Sequence, residues 1–192
     1  VYQYNFASDA EVLASARLAA DVVGATPMDR PEWATVHPNT GDVYLTLTNG
    51  NSSNRPSTDL DGANPRAVNS NGHIIRWREE AGDHAATSFE WDIFLFGSSA
   101  DASSDYNVSG LTADNEFSSP DGLFIDPRGV IWIQTDDGSS GIRGKTNNQM
   151  LVAIPGEVGD GESVTVTTSD GNGQESIQAF VGGNAEAVQL KR

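Results

Sequence analysis

LFIDPRGVIWIQTDDG, residues 123–138, repeats the plan of an earlier stretch, WATVHPNTGDVYLTLTNG, residues 33–50. Each reads as a strand, a short turn containing proline and ending in glycine, and a second strand of alternating side chains. The shared order is apolar, His37 or Asp126, proline, turn, glycine, apolar, aromatic, apolar, polar. In the first copy the second strand alternates Val43, Leu45 and Leu47 with Tyr44, Thr46 and Thr48; in the second it spans Val130–Thr135. The copies lie roughly two 45-residue periods apart, the spacing of β-propeller blades. The expected fold class is therefore all-β, a partial β-propeller of several blades with one N-terminal helix. A β-sandwich is the alternative reading of the same pattern.

Between the copies, GHIIRWRE (72–79) and SFEWDIFLFG (88–97) predict another hairpin. Further strands are expected at Gln149–Ile154, Ser163–Thr168 and Ile177–Val181. The one helical pattern is SDAEVLASARLAADVV, 8–23, with Ser8 or Asp9 as cap, Glu11 in the first turn and Gly24 as its stop. The domain reading is one unit over 1–192, with a helix at 8–24 and blades and long site loops over 30–192. About four blades fit in this length, fewer than most closed rings need. The chain also starts without methionine, so it is expected to be part of a longer polypeptide. Two connecting segments, 49–71 and 97–122, are long and polar, a length that usually signals function or disorder.

The chain has 27 acidic and 11 basic residues and a formal net charge of −16. That charge repels nucleic acid and anionic membrane surfaces, so neither is an expected partner. It supports solubility, and it also fits carboxylates gathered around divalent cations, which take hard oxygen ligands. Cysteine is absent, which excludes thiolate zinc sites, disulfides and a cysteine nucleophile from this segment. No apolar run approaches the ~18 residues of a membrane span, and no signal-peptide pattern is visible. No Gly-x-Ser-x-Gly elbow or Walker loop occurs, and His37, His73 and His84 lack metal-motif spacing. His37 reads as structural.

Candidate chemistry sits in four places. Arg30-Pro31-Glu32 combines a guanidinium suited to bidentate phosphate recognition with a carboxylate two residues on. Proline should hold Arg30 extended, and period-two alternation would then aim both side chains one way. A surface ion pair beside a turn is the plainer alternative. Asp114, Asn115, Glu116 and Asp121 offer a second cluster of oxygen donors, with Asp121 expected in a Pro-Asp-Gly turn; solvated acids in an Asx turn explain them equally well. Asp136 and Asp137 close a strand. The loop 61–74 supplies Asn64, Arg66, Asn69, Asn71 and His73, where Asn64 could ligate calcium and Arg66 could join Arg30.

AADVVGATPMDRPEW, HPNTGDVYLTLTN, ANPRAVNSNGHIIRW, GDHAATSFEWDIF and FSSPDGLFIDPRGVIWIQTD occur in the order they have in the PhoX family of calcium-dependent alkaline phosphatases. The chain resembles that family over about residues 8–155, in its C-terminal portion. The resemblance implies a β-propeller that hydrolyses phosphomonoesters with calcium ions and an iron pair. It further implies Tat-dependent export, a periplasmic or extracellular setting and a monomer. By motif match it assigns phosphate binding to Arg30 and metal ligation to Glu32 and Asp121. It leaves Asn64, Arg66, Glu116 and Asp136 as further candidates without individual roles. The family's iron-ligating cysteine and other N-terminal ligands would lie upstream of residue 1. Near the C-terminus GGNAEAVQLKR departs from the family's Gly-Cys-Glu-Val-Thr-Gly, with Ala185 at the cysteine position and Glu186 at the glutamate position. Two other readings stand beside this one: a non-catalytic calcium-binding propeller fragment, and another metal-dependent propeller hydrolase such as a lactonase.

Overall fold

A computed structural model describes residues 3–50, 60–137, 142, 145–155, 162–169 and 174–181, the last two segments as backbone only. Nine strands follow two short helices: β1 (Pro31–Val36), β2 (Val43–Leu47), β3 (His73–Glu79), β4 (Phe89–Phe96), β5 (Pro120–Ile125), β6 (Ile131–Thr135), β7 (Met150–Ala153), β8 (Glu162–Ser169) and β9 (Gln174–Val181). They form a six-stranded sheet in the order β1-β2-β3-β4-β9-β8 and a three-stranded sheet β5-β6-β7. Every expected strand is present, and the chain is mostly β. Neighbours run antiparallel except β4 and β9, which meet in parallel at Ile93 and Val181. Among the described residues neither sheet closes on itself, so the all-β expectation holds while the arrangement distinguishes neither propeller blades nor the alternative sandwich.

The expected helix over 8–24 is two helices, α1 (Asp9–Ala14) and α2 (Ala16–Val23). Ser15, at φ −121° and ψ 42°, leaves the helical region and breaks the run. The ends match expectation: Ser8 accepts the Glu11 N–H through its side chain, and Gly24 ends α2 at φ 70°. Neither helix buries a residue, so no tertiary packing holds the two straight across Ser15.

The main core lies between the sheets. Tyr44, Ile74, Phe94 and Leu95 from the larger sheet meet Leu123, Ile125, Ile131, Ile133, Leu151 and Ala153 from the smaller one. Along β2 the most buried positions are Tyr44, Thr46 and Leu47, while Val43 and Leu45 are half-buried. The polar side of that alternation thus faces inward. Tyr44 does so because its ring meets Phe94 edge-on, 5.2 Å between centroids, over the buried Arg76–Asp92 ion pair. That pair is bidentate across β3 and β4, at 2.7 and 2.8 Å, which satisfies both charges away from water.

The register puts the candidate site residues at one end of the larger sheet. Pro31 lies opposite Leu47, Leu47 opposite His73, and His73 opposite Phe96. Ser119 joins this end through its N–H to the Asn71 carbonyl at 2.9 Å, and β5 lies against β1 and β2. The β1–β2 and β3–β4 turns occupy the other end.

Candidate active site

Residues 30–32 and 119–121 are built alike. Arg30 and Ser119 both adopt the left-handed backbone, at φ 46° and 54°, and each precedes a proline that opens a strand. The carbonyl of each is held from the partner strand's end, Arg30 by the Thr48 N–H at 3.1 Å and Ser119 by the Asp136 N–H at 2.9 Å. Each strand then slips register, β1 between Pro31 and Ala34 and β5 between Pro120 and Leu123. A bulge leaves its residues outside the ladder and re-aims their side chains. Glu32 and Asp121 occupy the matching bulge positions. The expected extended Arg30 is therefore corrected, since the left-handed region is reached even before proline. So is the expected Pro-Asp-Gly turn, because Asp121 is the second residue of β5.

Such backbone persists only where the surroundings hold it, at a cost of about 1–3 kcal/mol per residue. For Arg30 the surroundings are a buried polar network one residue upstream. Asp29 accepts from Asn69 Nδ2 at 3.2 Å, and that same nitrogen donates to His73 Nδ1 at 2.8 Å. His73 Nε2 lies 2.9 Å from the Ala63 carbonyl, which sets the neutral tautomer with its proton on Nε2. Gly50 pairs with Asn69 through two backbone bonds, and a Cβ on it would come within 2.1 Å of the Asp29 carboxyl carbon.

The charges of both bulges meet at Asp121. Burial first, then the Glu32 and Asp136 carboxylates, push the Asp121 carboxyl above the ordinary aspartate range, while Arg30 pulls it back. Arg30 Nη2 donates to Glu32 Oε1 at 3.0 Å, and both side chains remain open to solvent at 40% and 35% exposure. Among the described residues no other hydrogen bond uses the Arg30 guanidinium. Three carboxylates and one arginine thus share the end of two adjoining hairpins. No group of three or more His, Asp or Glu side chains is already arranged to hold a metal among the described residues.

Thr46, on β2, ties the two bulges together. Its buried hydroxyl accepts the Trp33 N–H at 3.0 Å, and its one proton faces two carbonyls, Asp121 at 2.8 Å and Trp33 at 3.2 Å. Sequence reasoning had no signal for this, because a threonine at an alternate strand position reads as solvent-facing.

The other candidates stand apart. Arg66 does not join Arg30: it is wholly buried, donating to the carbonyls of Gly97 (2.9 Å) and Tyr106 (2.6 Å) and lying against the Phe96 and Tyr106 rings. Burial lowers it to about 10. Glu116 is buried and accepts from the Ala100 N–H (2.8 Å) and the Ser99 hydroxyl, so it shapes the 97–122 loop. Asn115 Oδ1 accepts from Thr112 N, and Asp114 is exposed, so the expected donor cluster 114–121 does not converge. Asn64 spends its amide nitrogen on Pro27 O and Asp61; its buried Oδ1 has no hydrogen-bond partner among the described residues. Glu186 lies outside the described residues. His37 is structural as expected: its Nδ1 accepts from Asn39 and Thr40, the work Asp126 Oδ1 does for Arg128 and Val130.

Among known proteins, a family model described as alkaline phosphatase PhoX matches residues 2–187. No curated protein matches the chain. A solved structure of Pseudomonas fluorescens PhoX in complex with vanadate, a transition-state analogue, superposes with a TM-score of 0.69 at 41% sequence identity. The match covers 85% of this chain and 31% of that chain, so the present chain spans about a third of that protein's length. A family model reaching over nearly its whole length and a solved relative at 41% identity lead to one conclusion: the chain belongs to the PhoX family of alkaline phosphatases.

Proposed function

We propose that the chain forms the phosphate-gripping part of an alkaline phosphatase that hydrolyses small phosphomonoesters. The observation that carries this is the Arg30–Glu32–Asp121–Asp136 grouping, with carboxylates crowded about Asp121 beside a solvent-open guanidinium. Arg30 would grip two non-bridging phosphoryl oxygens through parallel N–H donors. The ion pair with Glu32, at 3.0 Å, orients that fork before substrate arrives, so less reorganisation remains for the reaction. The vanadate held by the Pseudomonas fluorescens protein supports a phosphoryl substrate here.

The donor set fits calcium. Glu32, Asp121 and Asp136 offer hard oxygens, and their mutual repulsion, which raises Asp121, is what a divalent cation relieves. Glu32 and Asp121 would hold the ion, with the rest of its shell supplied from elsewhere, as the absence of a ready three-ligand group among the described residues requires. Bound there, calcium supplies charge neutralisation for the phosphoryl oxygens. The chain lacks cysteine, and the His37 and His73 rings are engaged in turn and network hydrogen bonds, so any thiolate ligand of an iron pair would come from outside this chain. We also propose that the two sheets are blades of a larger propeller. The proposed setting, a monomer in the periplasm or outside the cell, rests on family membership. No described helix is long and apolar enough to cross a membrane.

The test is p-nitrophenyl phosphate hydrolysis by the intact protein and by this 192-residue chain, each with calcium and with EDTA. The intact protein should be active with calcium and silenced by EDTA, and Arg30→Ala should lower its turnover about 100- to 1,000-fold, the usual cost of one electrostatic donor. An unchanged rate in that variant would sink the assignment. The incomplete metal shell favours a second reading for the chain taken alone, calcium binding without turnover; a calcium-dependent rise in melting temperature with no hydrolysis would support it.

A further inference from the structure

We infer that Thr46 is a positioning residue that sets the distance between the two halves of the proposed calcium and phosphate site. The inference rests on the reading of Glu32 and Asp121 as calcium ligands. Glu32 and Asp121 come from different hairpins in different sheets, and a shared ion requires their carboxylates to hold one separation. Bulges are poor at this by themselves, because their residues leave the ladder and lose its regular hydrogen bonds. The freed groups here are the Trp33 N–H, next to Glu32, and the carbonyl of Asp121 itself. One hydroxyl serves both, accepting at 3.0 Å and giving its proton to the Asp121 carbonyl at 2.8 Å over the longer contact to the Trp33 carbonyl at 3.2 Å. Thr46 is fully buried, and as a β-branched residue on a strand it has few χ1 options, so the bridge has little slack. Its partner across β2 and β3 is Ile74, a main-core residue, which anchors the bridge to the packed interior.

The matching position in the second hairpin is Gln134, whose side chain lies where a Cβ on Gly122 would sit, 2.5 Å from its Oε1. The second bulge therefore packs its own glutamine against its own strand, and the bridge runs one way, from the first hairpin to the second. Outer partners that orient metal ligands typically change affinity 10- to 100-fold when removed.

The experiment is calorimetric titration of the EDTA-stripped intact protein with Ca²⁺, followed by orthovanadate on the loaded protein. Four proteins are compared: wild type, Thr46→Val, Thr46→Ser and Asp121→Asn. Thr46→Val keeps the shape and deletes the hydroxyl; it should weaken calcium about tenfold and vanadate with it. Thr46→Ser retains the donor and acceptor and should stay within about twofold of wild type. Calcium affinity unchanged in Thr46→Val but reduced in Asp121→Asn would overturn the positioning role and leave the ligand assignment standing. Calcium affinity unchanged in Asp121→Asn would overturn the ligand assignment and the inference with it. Equal losses in the valine and serine variants would assign Thr46 to packing and also overturn the inference. Should the valine variant melt below assay temperature, Thr46→Ala, which removes the hydroxyl without adding bulk, carries the same expectation.

Discussion

Residues 30–48 and 119–136 form two hairpins of matching register, and they differ in what stands at the left-handed position before the proline. In the first it is Arg30, half open to solvent with one carboxylate partner; in the second it is Ser119, buried beside Ser118 and Asn71. Both hairpins aim an acid from the bulge that follows. One scaffold therefore delivers Glu32 and Asp121 to a common place, and a single substitution at the repeated left-handed position adds a cation. A backbone that costs free energy at both sites is kept at both, which argues that aiming the acids is its work and the guanidinium a specialisation of one copy.

Glycine substitutions separate these two contributions most sharply. Glycine accepts φ near 50° without penalty, so Arg30→Gly keeps the backbone and removes only the guanidinium. Phosphatase turnover of the intact protein should fall about 100- to 1,000-fold in Arg30→Gly, with melting temperature unchanged or raised. Ser119→Gly should leave turnover within about twofold, because relief of strain there removes no charge. Equal losses in both would show that the backbone, not the guanidinium, carries the effect.

A smaller difference is expected in the turns. Gly129 (φ 85°) sits against the first hairpin, where an added Cβ would come within 2.6 Å of His37 Nε2; Gly41 (φ 79°) meets its nearest neighbour, His84, at 3.7 Å. Both alanine variants suffer left-handed strain of about 1–2 kcal/mol. Gly129→Ala must also displace a buried histidine, for a total of about 2–3 kcal/mol by urea unfolding. Gly41→Ala should cost only the first part, and equal costs would mean the two turns do not touch in solution.

The smallest effect is a pH dependence. The Arg128 side chain, then backbone N–H groups and the Trp132 indole, hold the Asp126 carboxyl well below the usual carboxylate range. A depressed folded value means stability that is present above the unfolded value, about 4, and lost as pH falls through and below it. Asp126→Asn should lower stability at pH 7 slightly and flatten the loss between about pH 4 and pH 2. The first hairpin has His37 in that place, and its own turn carboxylate, Asp42, is held by Arg78 of β3 instead. An acid limb unchanged in the variant would contradict the assignment of the turn charge.

Local chemistry made much of this legible. Alternation and the Pro-containing turns placed every strand, since a hairpin's register is decided by neighbours a few residues away. Arg30, Glu32 and Asp121 stood out because arginine, acid and proline crowd together in apolar surroundings. The side chains that failed to join them, Arg66 and Glu116, look identical to site residues in sequence. A buried arginine caged by carbonyls and a buried glutamate pinning a loop differ from a phosphate clamp only in what surrounds them. The break at Ser15 was equally hidden, because helix continuity depends on packing that the pattern of Val12, Ala16 and Ala19 does not guarantee.

By itself the chain's order of residues determined the repeated hairpin, the acid and arginine types needed for anionic oxygen chemistry, and the family. Tertiary structure decided three further matters: that Arg30 is left-handed despite Pro31, that Glu32 and Asp121 lie near enough to repel, and that Thr46 joins their two strands. Each depends on residues far apart in the chain, 75 positions between Thr46 and Asp121 and 40 between Asp29 and Asn69. Strain at one backbone position is affordable only when distant groups hold it, and no local propensity records which groups those will be.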